Sequence, residues 1–430
     1  MDGALQSSEA DNGTAQREKN LPAIGASGWL IIAIVCLLSS WYFAVIIAPA
    51  GLGASAPNVR QGLFPEWYGS RQILLQGRDP YTPETTKGIQ AAIYGETAEA
   101  DRGTRNQHRF AYPAFFALLI FPLAILPFSA AQWVALAGCM VATALSVPFW
   151  LGQRHLRLNV SICGVFVFAS YPVVLGLQLR QPTLIVAGVL AAVVYCARAD
   201  RLVLAGILAA LSTCKPQLAI AVLVPLAIWA ITQWRTRKRF LVAAGGALGA
   251  LLLASEFISS GWFTHWLSTL MAYAHYAGTK PLLADLLGSR FFMPFGMMLV
   301  GAVVWVSCRY CDRDLLFAVS FSIAAFQLLF PFQIYNEVLL APAALWLAKH
   351  ASEIKSRGQL HALLYCCTWI VLGAGWAATI GLSLSNLLSP GSGVNLWQLP
   401  LLTAWLYPLP VFVTLALYAL PAPERIQRCW

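Results

Sequence analysis

Acidic and basic side chains that could act together in one reaction lie in or beside the polar segments of an otherwise apolar chain. The acids are Glu66, Asp79, Asp285 and Glu337, and the cations are Arg78, Arg109, Arg180, Lys215 and Lys280. A carboxylate can take a proton from an attacking hydroxyl, and a cation can stabilise the charge of a departing anionic group. These residue types favour a group-transfer reaction, provided that the fold brings them into one cavity.

The composition indicates which elements must position these residues. The chain has 430 residues, of which 59% are hydrophobic and only 11% are charged, against about 25% charged in soluble globular domains. It contains about a dozen apolar runs of roughly 17–25 residues, each long enough to cross a hydrocarbon core of about 30 Å. We therefore predict an all-α, polytopic integral membrane protein with about 12 transmembrane helices, surrounded by membrane lipids. This composition disfavours a secreted disulfide-bonded domain, a soluble enzyme and a nucleic-acid-binding protein.

The net charge of +10 is explained by where the basic residues lie, because Lys and Arg collect in the cytoplasmic loops of membrane proteins. Clusters occur at 17–19, 154–157, 198–201, 235–239, 309–313, 349–357 and 425–428. Placing them inside predicts a cell-membrane protein with both termini in the cytoplasm. The predicted organisation is a disordered N-terminal segment at 1–26, a transmembrane domain at 27–420 and a tail at 421–430. The large extracytoplasmic loops are then 52–112 and 260–288.

Two apolar runs do not fit single crossings. Between the first outer loop and 154–157 there are two runs, although the charge rule requires an odd number of crossings. Either the proline-containing run 113–128 is a partial or re-entrant segment, or 154–157 lies outside. The run 202–234 has basic residues at both ends but is shorter than the roughly 40 residues that two spans need. Because Lys215 and Pro216 stand at its middle, we predict a hairpin of two short helices with Lys215 at the apex.

Three of the charged residues have a structural explanation as well as a chemical one. Lys215 either binds a phosphate or pairs with a neighbouring side chain, because an ionised lysine that faces lipid at the bilayer centre costs about 2.5–3.5 kcal/mol. Asp79 either takes part in catalysis or caps the backbone amides of its own turn. Glu337, beside Tyr335 and Asn336, either binds an acceptor or caps a helix.

The first outer loop contains clear signals for the start and end of two helices. Proline and glutamate suit the first turn, and Gly77 suits the left-handed residue after the last turn, of a helix over about 65–76. Thr82 as a cap and Gly95 as an end predict a second helix. Each has an apolar face, which indicates amphipathic helices lying along the outer membrane interface.

From this loop onward the order of motifs resembles a known family. An aromatic-rich helix ends in Leu74-Leu75-Gln76-Gly77-Arg78-Asp79-Pro80-Tyr81, and Phe110-Ala111-Tyr112-Pro113 opens an apolar run that ends in Phe121-Pro122-Leu123-Ala124-Ile125-Leu126-Pro127. Gln181-Pro182-Thr183 follows, and then Ala205-Gly206 through Lys215-Pro216. In this order the chain is similar to glycosyltransferase family 87 of the GT-C superfamily, the polyprenyl-phosphate-mannose-dependent mannosyltransferases. The similarity extends from about Pro65 to Arg239, and in hydropathy to the end of the chain.

The resemblance implies a GT-C-like fold with two juxtamembrane helices in the first outer loop. It implies inverting transfer of a hexose from a polyprenyl-phosphate sugar donor to a lipid or glycan acceptor on the outer face, and we expect neither a cofactor nor a metal ion. It also implies one catalytic carboxylate in that loop, but Gly62-Leu63 stands where family members have an aspartate before the aromatic helix. The catalytic candidates left nearby are Asp79 and Glu66. The residues expected to bind substrate are Arg78, Tyr81, Arg109, Tyr112, Arg180, Gln181, Lys215 and Glu337.

Two other functions remain open at this point. A transporter or lipid flippase also contains broken helices and buried charges, although the hydropathy shows no internal repeat of the kind transporters often have. The second alternative is a catalytically inactive relative that serves as an assembly partner. It stays open because Gly62-Leu63 departs from the family pattern. In the second outer loop, Trp262, His265 and Trp266 could stack on sugar rings or anchor an interfacial helix.

Overall fold

The computed structural model describes residues 25–53, 59–95, 108–152, 158–276 and 280–421, and this part of the chain is helical, without a β-strand. The helices before the middle of the chain are α1 (Ala26–Leu52), α2 (Val59–Gly62), α3 (Phe64–Gln76), α4 (Pro83–Tyr94), α5 (Phe115–Leu119), α6 (Phe121–Ala124), α7 (Phe128–Leu151), α8 (Leu158–Ala169), α9 (Tyr171–Leu179), α10 (Pro182–Arg198), α11 (Leu202–Ser212) and α12 (Pro216–Thr232). Those after it are α13 (Trp234–Ile258), α14 (Trp262–Tyr276), α15 (Leu282–Leu287), α16 (Ser289–Tyr310), α17 (Leu315–Leu329), α18 (Ala341–Lys349), α19 (Ala351–Ser356), α20 (Gln359–Leu388), α21 (Leu399–Leu406) and α22 (Pro408–Ala419). A 3-10 helix, Ile334–Leu340, connects α17 to α18.

Six helical segments among the described residues are long and apolar enough to cross a membrane. They are α1, α7, α13, α16, α20 and the segment Val394–Ala419 that contains α21 and α22. The pair α8 and α9 adds a seventh if it is one span, broken by a bend of 66°. The apolar helices α10, α11, α12 and α17 are shorter than the roughly 20 residues that a span needs. The chain is therefore a polytopic helical membrane protein, while the count of about 12 crossings stays a prediction.

The two helices predicted in the first outer loop are confirmed. α3 ends at Gly77, whose φ of 62° is left-handed. α4 begins after Thr82, whose hydroxyl accepts a hydrogen bond from the backbone N–H of Thr85, and it ends at Gly95 with a φ of 78°. Glycine lacks the Cβ that makes this left-handed conformation costly, so these positions fix where each helix stops.

The position of α3 differs from the expected one, because the helix is buried on its polar side as well as its apolar side. Gly69 lets Phe110 approach so closely that a Cβ there would lie 2.3 Å from the phenyl ring. The indole N–H of Trp67 lies 3.1 Å from the carbonyl oxygens of both Leu123 and Leu126. Prolines interrupt helical hydrogen bonding in this region, so its carbonyls need other donors. α3 supplies one of them and is packed against other parts of the protein on more than its apolar side, while its position along the membrane interface stays a prediction.

The run 113–128 forms only the short helices α5 and α6, which agrees with the prediction of a partial segment. The alternative was that 154–157 lies on the outer side, and those residues are outside the described part of the chain. α7, which precedes them, ends beside Arg198, since the Arg198 guanidinium donates to the carbonyl of Trp150 over 3.3 Å. The ends of α7 and α10 therefore lie at the same end of the molecule, which favours the partial segment.

The basic clusters that the structure describes gather at one end, which we name the basic end. Arg237, near the start of α13, forms an ion pair with Asp312 after α16. Tyr310 donates to the last carbonyl of α22 over 2.9 Å, and the Arg357 guanidinium lies 3.6 Å from the ring centroid of Tyr418 in the same helix. This arrangement is the one that the positive-inside rule requires of loops on one side of a membrane. The clusters at 17–19 and 425–428 lie outside the described residues.

The loops predicted to be extracytoplasmic meet at the opposite end, which we name the loop end. Asp79 after α3 makes a close polar contact with His265 of α14, with 2.6 Å between Oδ2 and Nδ1. The indole of Trp266 donates to the carbonyl of Ala111 over 3.0 Å. Two predicted outer loops are thus joined to each other by polar contacts.

Two short helices begin below the loop end. The thiol of Cys139 lies 3.5 Å from the carbonyl oxygen of Gln181, the residue before α10. Cys139 is in the middle of α7, about 16 Å from Phe128 at 1.5 Å per residue. The N-terminus of α10 therefore lies about half a bilayer thickness below the start of α7. The run 202–234 is likewise divided, as predicted, into α11 and α12 by a break that ends at Lys215.

Candidate active site

Lys215 lies in a buried polar cluster where α10 and α12 begin. It caps α12, and its side chain is only 6% exposed. Its ammonium donates a hydrogen bond to the hydroxyl of Thr183, which in turn lies 3.0 Å from the amide oxygen of Asn336. The ammonium is thus held by neutral groups, and no carboxylate in the described part of the chain forms a direct ion pair with it. Its positive charge remains available to an anion.

Two tyrosine rings flank the ammonium, with centroids 5.6 Å away for Tyr112 and 5.2 Å away for Tyr335. The negative face of an aromatic ring favours a nearby cation and helps to keep it charged under burial. Tyr112 is fixed by Tyr81, whose hydroxyl donates to the Tyr112 carbonyl over 2.7 Å, and by stacking on Phe116 at 4.1 Å. The structure therefore brings Tyr81, Tyr112 and Lys215 together, as a shared site requires.

The helix ends add positive potential to the same place. Thr183 is in the first turn of α10, and Lys215 is the residue before the first turn of α12. The first N–H groups of a helix have no partner within it, and they carry the positive end of the helix dipole. Two such ends beside one ammonium form a site suited to a phosphate group.

Glu66 reaches this cluster from the first outer loop. It lies in the first turn of α3, is 8% exposed, and its Oε2 accepts no hydrogen bond from the described residues. Burial raises the pKa of this carboxyl to about 7, although its own backbone N–H and the charge of Lys215 act in the opposite direction. A carboxylate with a pKa near neutrality is well suited to take a proton from a hydroxyl.

A second buried carboxylate, Glu337, lies in the 3-10 helix beside Asn336. It is 7% exposed, and its Oε2 has no hydrogen-bond partner among the described residues. Gln327 of α17 donates to the carbonyl of Asn336 over 3.2 Å and leaves its own amide oxygen without a donor. Buried acceptors without donors are costly, and hydroxyl groups of a ligand would satisfy them.

Asp79 makes contacts of a different kind from those of Glu66. Its Oδ1 accepts a hydrogen bond of 2.9 Å from the backbone N–H of Tyr81, which is the turn-capping contact, and its Oδ2 pairs with His265. Both oxygens are thus engaged in holding the two outer loops together. A catalytic role of Asp79 stays a prediction.

The other residues expected to bind substrate lie around this cluster at different depths. Arg78 is exposed and Arg109 is half-buried. The Arg180 guanidinium lies 5.7 Å from the ring centroid of Trp133, and its Nε has no partner in the described part. Gln181 is buried and precedes α10, two residues from Thr183. In the same part of the chain, no group of three or more His, Cys, Asp or Glu residues is placed to hold a metal ion.

Thr183 and Gln327 are site residues that the sequence does not single out as binding residues. Each is a polar residue in an apolar stretch, Thr183 directly after Gln181-Pro182 and Gln327 as the single amide in α17. A buried amide or hydroxyl in such a stretch must find a partner, which is the signal that could have identified both.

Gly62 has no room for a side chain, although the family resemblance leads us to expect an aspartate at or beside this position. A Cβ at this position would lie 2.1 Å from the backbone oxygen of Leu179, and the neighbouring Leu63 is buried. Replacing Gly62 by aspartate should therefore not supply a catalytic base. It should lower the membrane abundance and the melting temperature of the purified protein, because overpacking costs about 1–3 kcal/mol or more.

Gly62→Ala should show the same loss in milder form, measured by scanning fluorimetry. Gly164→Ala is the matched control, since no atom lies within 4 Å of a Cβ placed there. A Gly62→Asp protein as stable as wild type would contradict the close approach of α2 to α9.

Fold and site together define a helical membrane protein with a buried polar site, in which one ammonium lies near two carboxyl groups. The sequence model of Glycosyltransferase family 87 matches residues 110–372, more than half of the chain, and the chain belongs to this family. Membership indicates a membrane glycosyltransferase. No curated protein and no solved structure matches the chain. Lys215, Thr183 and Glu337 lie within the matched residues, whereas Glu66 and Asp79 precede them.

Proposed function

We propose that the protein transfers a mannose-like hexose from a polyprenyl-phosphate donor to a lipid or glycan acceptor, with inversion at the anomeric carbon and Glu66 as general base. One observation carries this proposal. A buried carboxylate of a loop helix and a buried ammonium at the start of a membrane helix lie close enough for their charges to interact, yet they form no direct ion pair. Such a pair can act on both sides of one transfer reaction. The carboxylate takes the proton of the acceptor hydroxyl, and the ammonium stabilises the departing phosphate.

The proposed reaction is a single displacement. The acceptor oxygen attacks the anomeric carbon, its proton passes to the Glu66 carboxylate, and the bond from that carbon to the phosphate oxygen breaks. The bonding electrons leave with the polyprenyl phosphate, whose charge the Lys215 ammonium and the first amides of α10 and α12 stabilise. One base and one cationic site account for these steps.

The depth of the site supports a lipid-linked donor. The N-terminus of α10 lies about 16 Å below the start of α7, within the apolar thickness of the protein. A phosphate on a polyprenyl chain can enter such a site from the membrane while its apolar chain stays in lipid. On the acceptor side, Glu337 and Gln327 offer oxygen atoms to sugar hydroxyls, and Tyr112 and Tyr335 offer ring faces to a sugar.

The proposal places the loop end outside a cell membrane and the basic end, with both termini, in the cytoplasm. Transmembrane residues 27–420 then form one domain, with 52–112 and 260–288 as its large outer loops. The support is that described basic clusters share one end and that loops predicted to lie outside share the other.

Cysteine labelling should confirm this sidedness. Ala91 of α4 and Ser356 of α19 are exposed at opposite ends. In a background without the exposed Cys308, Cys366 and Cys367, Ala91→Cys should react with an impermeant maleimide in intact cells. Ser356→Cys should react only after the membrane is opened. Labelling of both positions from the same side would contradict the topology and an outer-face donor site.

The donor class is tested with purified protein in lipid nanodiscs, supplied with membrane lipid extract as the source of acceptor. Polyprenyl-phosphate-mannose should be consumed with release of polyprenyl phosphate, whereas GDP-mannose should not be consumed. Equal use of GDP-mannose would overturn the lipid-donor proposal. Movement of the intact donor between leaflets of vesicles, without release of polyprenyl phosphate, would indicate a flippase instead.

A further inference from the structure

A cavity of about 360 Å³ lies at the basic end, where α10 passes into α11 and α13 begins. Its polar lining consists of Asp200, Arg201, Thr236 and Arg239, and its apolar lining is residues 202–204. Thr183 lies in the first turn of α10, about 22 Å at 1.5 Å per residue from the last residue of that helix, Arg198, and Asp200 follows two residues later. The cavity is therefore separate from the candidate active site.

The charged side chains that line this cavity form no ion pairs with the described residues. Arg201 and Arg239 are exposed, and neither guanidinium forms a hydrogen bond or an ion pair with any described residue. Asp200 is exposed as well and pairs with neither of them. Two guanidinium groups against one carboxylate leave the cavity with a net positive charge, and guanidinium groups bind phosphate oxygens in a bidentate manner.

The walls that continue from the cavity are apolar and exposed. On α11, Val203 is 53% and Leu204 is 44% exposed, and on α13, Val242 is 66% exposed one turn beyond Arg239. Trp234 is 52% exposed at the start of α13, the position that interfacial tryptophans take in membrane proteins. A ligand that fits this place carries an anionic head and apolar chains.

Close packing of the two helices shapes the cavity. A Cβ at Gly206 would lie 2.4 Å from the backbone oxygen of Phe240, so α11 and α13 touch backbone to backbone at the residue that follows Arg239. Most of α13 faces away from the protein core. The cavity lies at the first turns of α11 and α13 and is lined mostly by exposed residues of these helices.

We infer that this cavity is a binding site for an anionic phospholipid of the leaflet at the basic end. The phosphate lies between Arg201 and Arg239, Thr236 offers its hydroxyl, and the acyl chains lie along Val203, Leu204 and Val242. Basic pockets between membrane helices bind lipid head groups through this combination of charge and depth. A soluble phosphate would use the arginines but not the apolar walls.

The test measures the binding of phosphatidylglycerol to the full-length protein in neutral detergent, by native mass spectrometry and by the shift in melting temperature. Wild type should bind it in preference to phosphatidylcholine. The double variant Arg201→Gln/Arg239→Gln should bind it about 30-fold more weakly, which is the expected worth of two surface charges. The matched control is Arg235→Gln/Lys238→Gln, which removes the same number of charges, here both from α13 and outside the cavity lining, and should bind as wild type does.

Two further arms separate the alternatives. Leu204→Trp fills the cavity while keeping both arginines, and it should also lose the bound lipid. Inorganic phosphate at the same concentration should not raise the melting temperature. Equal binding by both double variants would overturn the site, and equal stabilisation by inorganic phosphate would show an anion site without lipid selectivity. Sugar transfer is not measured, so the outcome is independent of the proposed catalytic function.

Discussion

Glu66→Gln should lower the rate of sugar transfer by about 10²–10⁴-fold, the usual contribution of a general base. The amide keeps the shape of the buried side chain but cannot accept the acceptor's proton. Its abundance in the membrane and its affinity for the donor should stay close to wild type, because Glu66 forms no ion pair with Lys215 in the described structure. The measurement is kcat for release of polyprenyl phosphate, together with donor binding to the same preparation.

Asp79→Asn is the matched control, because it makes the same chemical change in the same loop. Both Asp79 oxygens are engaged, by Tyr81 and His265, so this variant should lose stability of the outer loops more than catalytic rate. Near-normal kcat for Glu66→Gln together with a large loss for Asp79→Asn would assign the base to Asp79.

The pH profile gives a second reading of the same carboxylate. Burial raises the pKa of Glu66 to about 7, and only the ionised form can accept a proton. The value of kcat/KM should therefore rise with pH through about 7. In Glu66→Gln the remaining activity should lack this rise. A wild-type profile that is flat between about pH 5 and 8 would count against Glu66, because a general base loses activity when it is protonated below its own pKa.

Lys215→Met should weaken binding of the polyprenyl-phosphate sugar about 10- to 150-fold. A charge-assisted hydrogen bond to phosphate is worth about 1.5–3 kcal/mol, and each 1.4 kcal/mol is a factor of ten in affinity. Methionine retains the length and the apolar stem, so membrane insertion should not suffer. The measurement is equilibrium binding of the donor to purified protein.

Two variants make this prediction specific. Lys215→Arg should keep part of the affinity, because the charge survives although the planar guanidinium has a different shape. Lys349→Met removes a lysine at the basic end, where it is exposed, and should leave donor binding unchanged. Affinity of Lys215→Met within about twofold of wild type would mean that the lysine only supports Thr183, and the phosphate role would pass to Arg180 or Arg109.

The helix boundaries near the site could be predicted because their signals are local. Gly77 and Gly95 end helices through the conformational freedom of glycine, and Pro216 starts α12 next to Lys215. The burial of α3 could not be predicted, because its sequence is the same whether the helix rests on lipid or on protein. The burial of α3 depends on the close packing of Phe110 on Gly69, which lie 41 positions apart in the sequence.

The candidate site was predictable in its residue types and less so in its pairings. The sequence indicates four of these residues, because charged and aromatic side chains in or beside apolar runs are expected to have a binding partner or a functional role. They are Lys215, Tyr112, Glu66 and Glu337. The partners come from far along the chain: Thr183 lies 153 positions from Asn336, and Asp79 is paired with a histidine of the second outer loop. Only the fold brings such residues together, so no local sequence pattern predicts these pairings.

The depth at which α10 begins has an electrical consequence. With the basic end in the cytoplasm, a phosphate at Thr183 and Lys215 lies about half-way through the apolar thickness, measured from outside. The membrane potential, negative inside, then acts on it with about half of the ~2.3 kcal/mol per charge per 100 mV that a full crossing involves. The sugar-linked diester carries one negative charge, whereas the monoester left after transfer carries about 1.5 to 2. With the proposed donor and topology, an energised membrane would therefore expel the product more strongly than it opposes the entry of the donor.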